Sequence, residues 1–382
     1  MGLNHLQRFS CLALTVCLTS LTFLDCGKDQ RPSADNQNSN IAKASVETSR
    51  QNTSMLIPNS IYGITVDDID ESDKISDSIN QINRRHRITT RIVIDPDQEL
   101  SNEYVRHVEE ISKASDVMAL VADSHDMYKF KDEGDKTYVK RVEECFNKLS
   151  KYVKIWEIGN EVNGEWVDYA RGEDETDKEF DARLGRELPT KTYQELDAIR
   201  GKVAKQIKDA YYFISSKGGE TALTFYYNEH LGKRCWSNDA QGGNEYGMLK
   251  WAEKYVADQQ MRDGLKYVFI SFYQDDCKVL KGKKKVDAPG FADNLNKLAG
   301  IFKNAGVGFG EFAPQCHACE EDRICCVGQQ KEFISRYYKD YDELIRPLVT
   351  KYAGGYFYWY FLQDMVPKDK PALAKLKEAL EG

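Results

Sequence analysis

Two glutamates close strand-forming apolar runs in this chain of 382 residues. Glu161 ends "VKIWEIGNE" (153–161), and Glu311 lies in "GVGFGEFA" (306–313). Two carboxylates facing each other across a pocket are what glycosidic cleavage needs. One stays protonated to donate to the leaving oxygen; the other is ionised, to attack or to activate water. Asn160, immediately before Glu161, adds an amide that can hydrogen-bond a substrate hydroxyl. A lone Glu at a strand end is ordinarily a solvated loop residue. The order and separation of these two are what single them out.

Whether they can meet depends on the elements that carry them. From residue 56 onward, short β-branched or aromatic runs alternate with helical segments. The expected strands are 59–67, 88–95, 116–124, 153–161, 222–229, 267–274, 306–313 and 354–361. Between them the apolar residues take helical spacing, as Val139, Val142, Cys145, Phe146 and Leu149 do. Eight strand-then-helix units imply a parallel sheet, and over this length a (β/α)8 TIM barrel. A doubly wound sheet is the runner-up, but "GITVDDIDESDK" after the first strand offers no glycine-rich phosphate loop. Barrel chemistry sits at the C-terminal ends of the strands, where both glutamates fall. If Glu161 points inward, regular alternation puts Gly159, Glu157 and Ile155 on its side, and turns Trp156 and Ile158 to the helices.

"WEIGNE" and "GFGEFA" resemble the strand-four and strand-seven motifs of clan A retaining glycoside hydrolases, TIM-barrel enzymes. The resemblance implies that Glu161 is the acid/base, that Asn160 holds the sugar's 2-hydroxyl and that Glu311 is the nucleophile. It further implies that Arg91 in "TTRIVID" supports the nucleophile and that Tyr273 in "FISFYQD" lies beside it. Trp359 in "YFYWYF" would floor the sugar site. No cofactor and no metal are implied, and retention implies a carboxyl separation of about 5–5.5 Å. Where the clan often has a histidine after strand three, "ADSHDMY" offers Asp123 or His125. Arg91 has an alternative role as an internal ion-pair partner of Glu157, and Trp359 one as ordinary core. Trp166, Tyr226 and Tyr227 are candidates for stacking on sugar faces, with strand packing as the alternative. Glu161 is expected to have a raised pKa, and Glu311 to be held ionised by Arg91 and hydroxyl donors.

The N-terminus reads as export. Residues 9–24 form an uncharged apolar stretch ending near Cys26. It is shorter than the about 20 residues a membrane-spanning helix needs. It resembles a bacterial lipoprotein signal over residues 1–25, which implies lipidation of Cys26 and a membrane-anchored protein of the cell envelope or surface. Phe23 and Asp25 depart from the usual pattern, and a plain cleaved signal peptide is the alternative. Residues 26–55 are polar and read as a flexible tether, and 56–382 as the barrel. A net charge of -8 argues against nucleic acid as a partner. The basic run Lys278–Asp287 reads as a solvated loop. The long acidic insert after Glu161 is expected to wall the cleft. A non-catalytic surface lipoprotein that binds glycan or host protein is the second functional reading.

Of ten cysteines, Cys145 sits on a helix's apolar face and reads as core. Cys235, Cys277, Cys316, Cys319, Cys325 and Cys326 follow strands five, six and seven. In an exported protein they read as disulfides beside the active site, with fifteen arrangements open. Zinc at "CHACEEDRICC" is the rival. Thiol titration of the denatured domain from residue 55 onward separates the two. With three bridges, one thiol (Cys145) reacts before reduction and seven after. With zinc, chelation alone frees the thiols.

Overall fold

Each of the eight apolar runs forms a strand, and the strands pair in sequence order: β1 Ile61–Val66, β2 Thr89–Val93, β3 Asp116–Leu120, β4 Ile155–Glu157, β5 Glu220–Tyr226, β6 Tyr267–Ser271, β7 Gly306–Phe312 and β8 Tyr352–Tyr358. Every pairing is parallel, and β1 also pairs with β8, closing a (β/α)8 barrel. The computed structural model describes residues 60–82, 86–164, 167, 175–176, 179–180, 182–183, 191–229, 247–273, 288–313 and 324–381. The signal, Cys26, the tether, Trp166, Lys278–Asp287, Cys235, Cys277, Cys316 and Cys319 lie outside these residues. So do most of the acidic insert and the side chains of Cys325 and Cys326.

Helices α1 Ser72–Ile82, α2 Asn102–Ala114, α3 Tyr138–Leu149, α4 Tyr193–Ser216, α5 Met248–Tyr255, α6 Gln259–Gly264, α7 Ala288–Ile301 and α8 Ile324–Ile334 follow the strands. Among the described residues no helix is long and apolar enough to cross a membrane. Helix α4 begins where Thr192 and Glu195 form a reciprocal capping box. Helix α3 buries Tyr138, Val142, Cys145 and Leu149, one stripe at helical spacing. Cys145 is fully buried there, and burial pushes its thiol up to about 12. Helix α8 continues into a π-helical segment, Ser335–Tyr341. That segment buries Tyr337, Tyr338 and Tyr341; Tyr338 donates to the carbonyls of Gly63 at 2.7 Å and of Tyr356, so it staples the β1–β8 seam.

The barrel interior has two levels. Below, a separate apolar cluster fills the axis with Ile61, Met118, Ile155, Ala222, Tyr267, Phe269, Ala353 and Phe357. Above it, toward the C-terminal ends, the buried residues are polar: Arg91, Glu157, Thr224, Ser271 and Glu311.

Strand β8 is the irregular member. Gly354, Gly355 and Tyr356 all have positive φ, at 81°, 109° and 60°. A Cβ on Gly355 would collide with the Phe309 carbonyl oxygen, whereas one on Gly134 (φ 89°) would meet nothing within 4 Å. Gly355→Ala is therefore expected to cost about 3 kcal/mol or more, strain plus clash, and Gly134→Ala only about 1–2 kcal/mol. Urea midpoints of the two variants check this.

Candidate active site

A charged network fills the upper barrel. Arg91, on β2, is 1% exposed. Its Nε donates to Glu157 Oε2 at 2.5 Å and its Nη1 to Glu311 Oε1 at 2.5 Å. One guanidinium thus joins β4 to β7, pairing with Glu157, as the internal ion-pair reading had it, and with Glu311 as well. Thr224 on β5 donates to Glu157 Oε1 at 2.5 Å. Around Glu311, Asn160 Nδ2 donates to Oε1 at 2.9 Å, the Tyr273 hydroxyl donates to Oε2 at 2.7 Å, and the Glu311 N–H donates to Ser271 Oγ at 3.2 Å. Trp359 lies with its ring centroid 5.6 Å from the Arg91 guanidinium carbon, in cation–π range. It belongs to neither apolar cluster.

The electrostatics follow from burial. Burial alone would lower the Arg91 pKa, but the charges of Glu157 and Glu311 outweigh it and raise it further. The Tyr273 hydroxyl is held protonated: burial raises its pKa, and the Glu311 and Glu161 carboxylates add to that. Glu311 has the donors expected to hold it ionised, Arg91 and the Tyr273 hydroxyl, yet its pKa lies above the ordinary carboxylate value. Burial raises its pKa and the charge of Asp123 adds to the rise, while Arg91 and the Tyr273 hydrogen bond pull it back without cancelling. Arg91 is shared with Glu157, so it only partly compensates Glu311.

The end of β4 departs from regular alternation. Regular strand stops at Glu157, short of the expected 161. Trp156 and Ile158 face the helix layer as expected. Gly159 does not join Glu157 inside: a Cβ there would meet Val162 at 2.6 Å, and Ile207 and Leu223 at 3.2 Å, all in the helix-facing layer. Only a residue without a side chain fits. The backbone still bonds to β5 through Thr224 N–H to the Gly159 carbonyl (2.9 Å) and Val162 N–H to the Thr224 carbonyl (3.3 Å). Asn160 then turns inward to Glu311. Glu161 follows with φ 46°, left-handed backbone that costs a non-glycine residue about 1–2 kcal/mol. Its carboxyl is buried within electrostatic reach of Tyr273.

Of the two candidates after β3, Asp123 joins the network, accepting from Asn160 Nδ2 at 3.2 Å. The His125 ring instead stands edge-on to Phe180, centroids 6.1 Å apart. Tyr226 and Tyr227 both lie in the apolar layer. Tyr227 packs against Phe272 and Phe291 and accepts from Asn294 at 2.9 Å, facing the helices rather than the mouth. Thr224 and Ser271 were not foreseen. Their signal was a hydroxyl residue inside an apolar strand, at a position that alternation turns inward. Among the described residues no group of three or more His, Cys, Asp or Glu is placed to hold a metal ion.

No protein-family model matches the chain, and no curated protein matches it by sequence. Similar solved structures include an apo beta-glucosidase, 1317, at 12% identity and TM-score 0.48, covering 81% of this chain and 87% of that one. A glycoside hydrolase family 5 enzyme from Prevotella bryantii B14, in complex with a xyloglucan tetradecasaccharide, is 11% identical with TM-score 0.42, over 80% of this chain and 86% of its own. ZgEngAGH5_4, in complex with a cellotriose, is 13% identical with TM-score 0.46, over 84% and 96%. Likenesses this remote assign no activity, which has to rest on the side chains.

The left-handed backbone at Glu161 has a measurable consequence. Glu161→Gly and Glu161→Ala both remove the side chain, but only glycine relieves the backbone. Glu161→Gly should therefore be the more stable of the two by about 1 kcal/mol in chemical denaturation.

Proposed function

We propose that this protein is a retaining glycoside hydrolase, with Glu311 as nucleophile and Glu161 as general acid and base. The observation that carries the reading is the grip on Glu311. Three donors, Arg91, Asn160 and Tyr273, fix both of its oxygens at the C-terminal end of the barrel. A carboxylate so constrained is oriented before substrate arrives, which lowers the entropic cost of attack.

In the first step a Glu311 oxygen bonds to the anomeric carbon as the glycosidic C–O bond breaks, and Glu161 gives its proton to the leaving oxygen. In the second, Glu161 takes a proton from water, the water oxygen bonds to the same carbon, and the ester to Glu311 breaks. Tyr273, held protonated, donates to Glu311 in the free enzyme and is placed to steady its charge when the ester is cleaved. Trp359 over Arg91 offers an apolar face to the sugar. The barrel would act outside the cytoplasm on carbohydrate, tethered through a lipid at Cys26.

Assay of the domain from residue 55 against aryl glycosides and polysaccharides tests this. Glu161→Gln and Glu311→Gln should each lose about 10³-fold or more in kcat, and product NMR should show retained anomeric configuration. Inverted product, or parent activity equal to both variants on every substrate, overturns the proposal.

The pH profile tests Glu311 separately. Because Glu311 must be ionised to attack and burial raises its pKa, kcat/KM should fall with decreasing pH at a point above the ordinary carboxylate range. Tyr273→Phe removes a hydrogen bond that favours the ionised form, so this acid limb should move to higher pH. An unmoved or lowered limb contradicts the assignment.

A further inference from the structure

The amide of Asn160 is wedged between two carboxylates. Its Nδ2 donates to Glu311 Oε1 at 2.9 Å and to Asp123 Oδ1 at 3.2 Å. Both partners accept only, so the orientation of the amide is fixed; a flip would set its oxygen against two carboxylate oxygens. Asn160 Oδ1 is thereby left buried, with no hydrogen-bond partner among the described residues, in a side chain only 2% exposed. A buried acceptor without a donor is costly, and a ligand that donates to it recovers the loss.

Asp123 presents a second acceptor at the same spot. Its bonds with described residues, from the Ser124 N–H, the Ser124 hydroxyl and Asn160, all fall on Oδ1. No bond from a described residue falls on Oδ2. Arg91, the cation bonded to this network, is committed to Glu157 and Glu311. The place beside Asn160 is therefore rich in acceptors and short of positive charge.

We propose that Asn160 Oδ1 and Asp123 recognise a protonated amine at C2 of the sugar, so that the substrate is a glycan of 2-amino-2-deoxy sugars with free amino groups. This rests on the glycosidase reading. Asn160 touches the carboxylate that attacks C1, so the substituent nearest its amide is the one on C2. An ammonium brings three donors and a positive charge. A hydroxyl brings one donor and adds an acceptor. An acetamide would put a carbonyl oxygen among carboxylates, and a uronate would add another negative charge.

The test uses 4-nitrophenyl glycosides bearing 2-amino, 2-hydroxy or 2-acetamido groups, in the gluco, galacto and manno series, at a pH that keeps the amine protonated. In the preferred series the parent's kcat/KM for the amino compound should exceed the other two at least about tenfold. Asp123→Asn keeps the oxygen that caps Ser124 N–H, and should lose about 10- to 100-fold on the amino compound. On the 2-hydroxy compound the loss should be at least about fivefold smaller, so that the preference for the amine falls, a split that general damage to the fold would not produce. A parent that prefers the 2-hydroxy or acetamido compound overturns the inference and leaves the glycosidase reading standing. If nothing is hydrolysed, calorimetry compares a glucosamine hexamer with cellohexaose. Tighter binding of the hexamer, lost in Asp123→Asn, sustains the recognition; equal or absent binding overturns it.

Discussion

One guanidinium, buried at the centre of the barrel, holds carboxylates that arrive from β4 and β7. Desolvating such groups costs several kcal/mol each, and the ion pairing offsets this only when geometry is good and remaining lone pairs are filled. Here Thr224, Asn160 and Tyr273 supply the filling. Even so, carboxylates outnumber the cation, and Glu311 keeps a raised pKa. The apolar cluster beneath closes the lower barrel to charge. The polar network can meet solvent or substrate only upward, at the ends where the strands give way to loops. The position of the site thus follows from the vertical division of the interior.

Much of this was legible from the amino acids alone. Strands buried on both faces read as near-continuous apolar runs, so all eight stood out. An arginine in the middle of "TTRIVID" and a glutamate in "KIWEIG" stand out for the same reason, because a buried charge demands a partner. What stayed hidden depends on tertiary geometry. Thr224 and Ser271 pass for ordinary strand formers. The rise in the Glu311 pKa depends on how many carboxylates share Arg91 and on Asp123 standing close by. His125 offers a ring beside Asp123 in sequence, yet packs toward Phe180. No periodicity announces the π-helical turn whose Tyr338 locks the closing seam.

The two residues proposed to react are also among the least comfortable in the fold. Glu311 is a buried carboxylate in a crowded negative field, and Glu161 holds a left-handed backbone that few non-glycine residues adopt. Neither arrangement benefits stability. Sites that trade stability in this way persist where the surrounding packing is strong enough to over-determine them. The bonds of Gly159 and Val162 to β5 and the filled layer around Ile207 and Leu223 provide that constraint.

The end of β4 shows how one irregularity can build a site. In a regular strand, Asn160 and Glu161 would face opposite sides of the sheet, and one of them would be lost among the helices. Instead Ile158 and Gly159 both turn outward, which restores Asn160 to the interior, where it meets Glu311. The left-handed step at Glu161 then bends the chain again and keeps the next side chain within reach of Tyr273. Glycine at 159 is the residue that permits the first turn, because any Cβ there would strike Val162. Adjacent residues in the chain are thereby made adjacent in the pocket, which the β period by itself forbids. The sequence "GNE" is a backbone device before it is a set of functional groups.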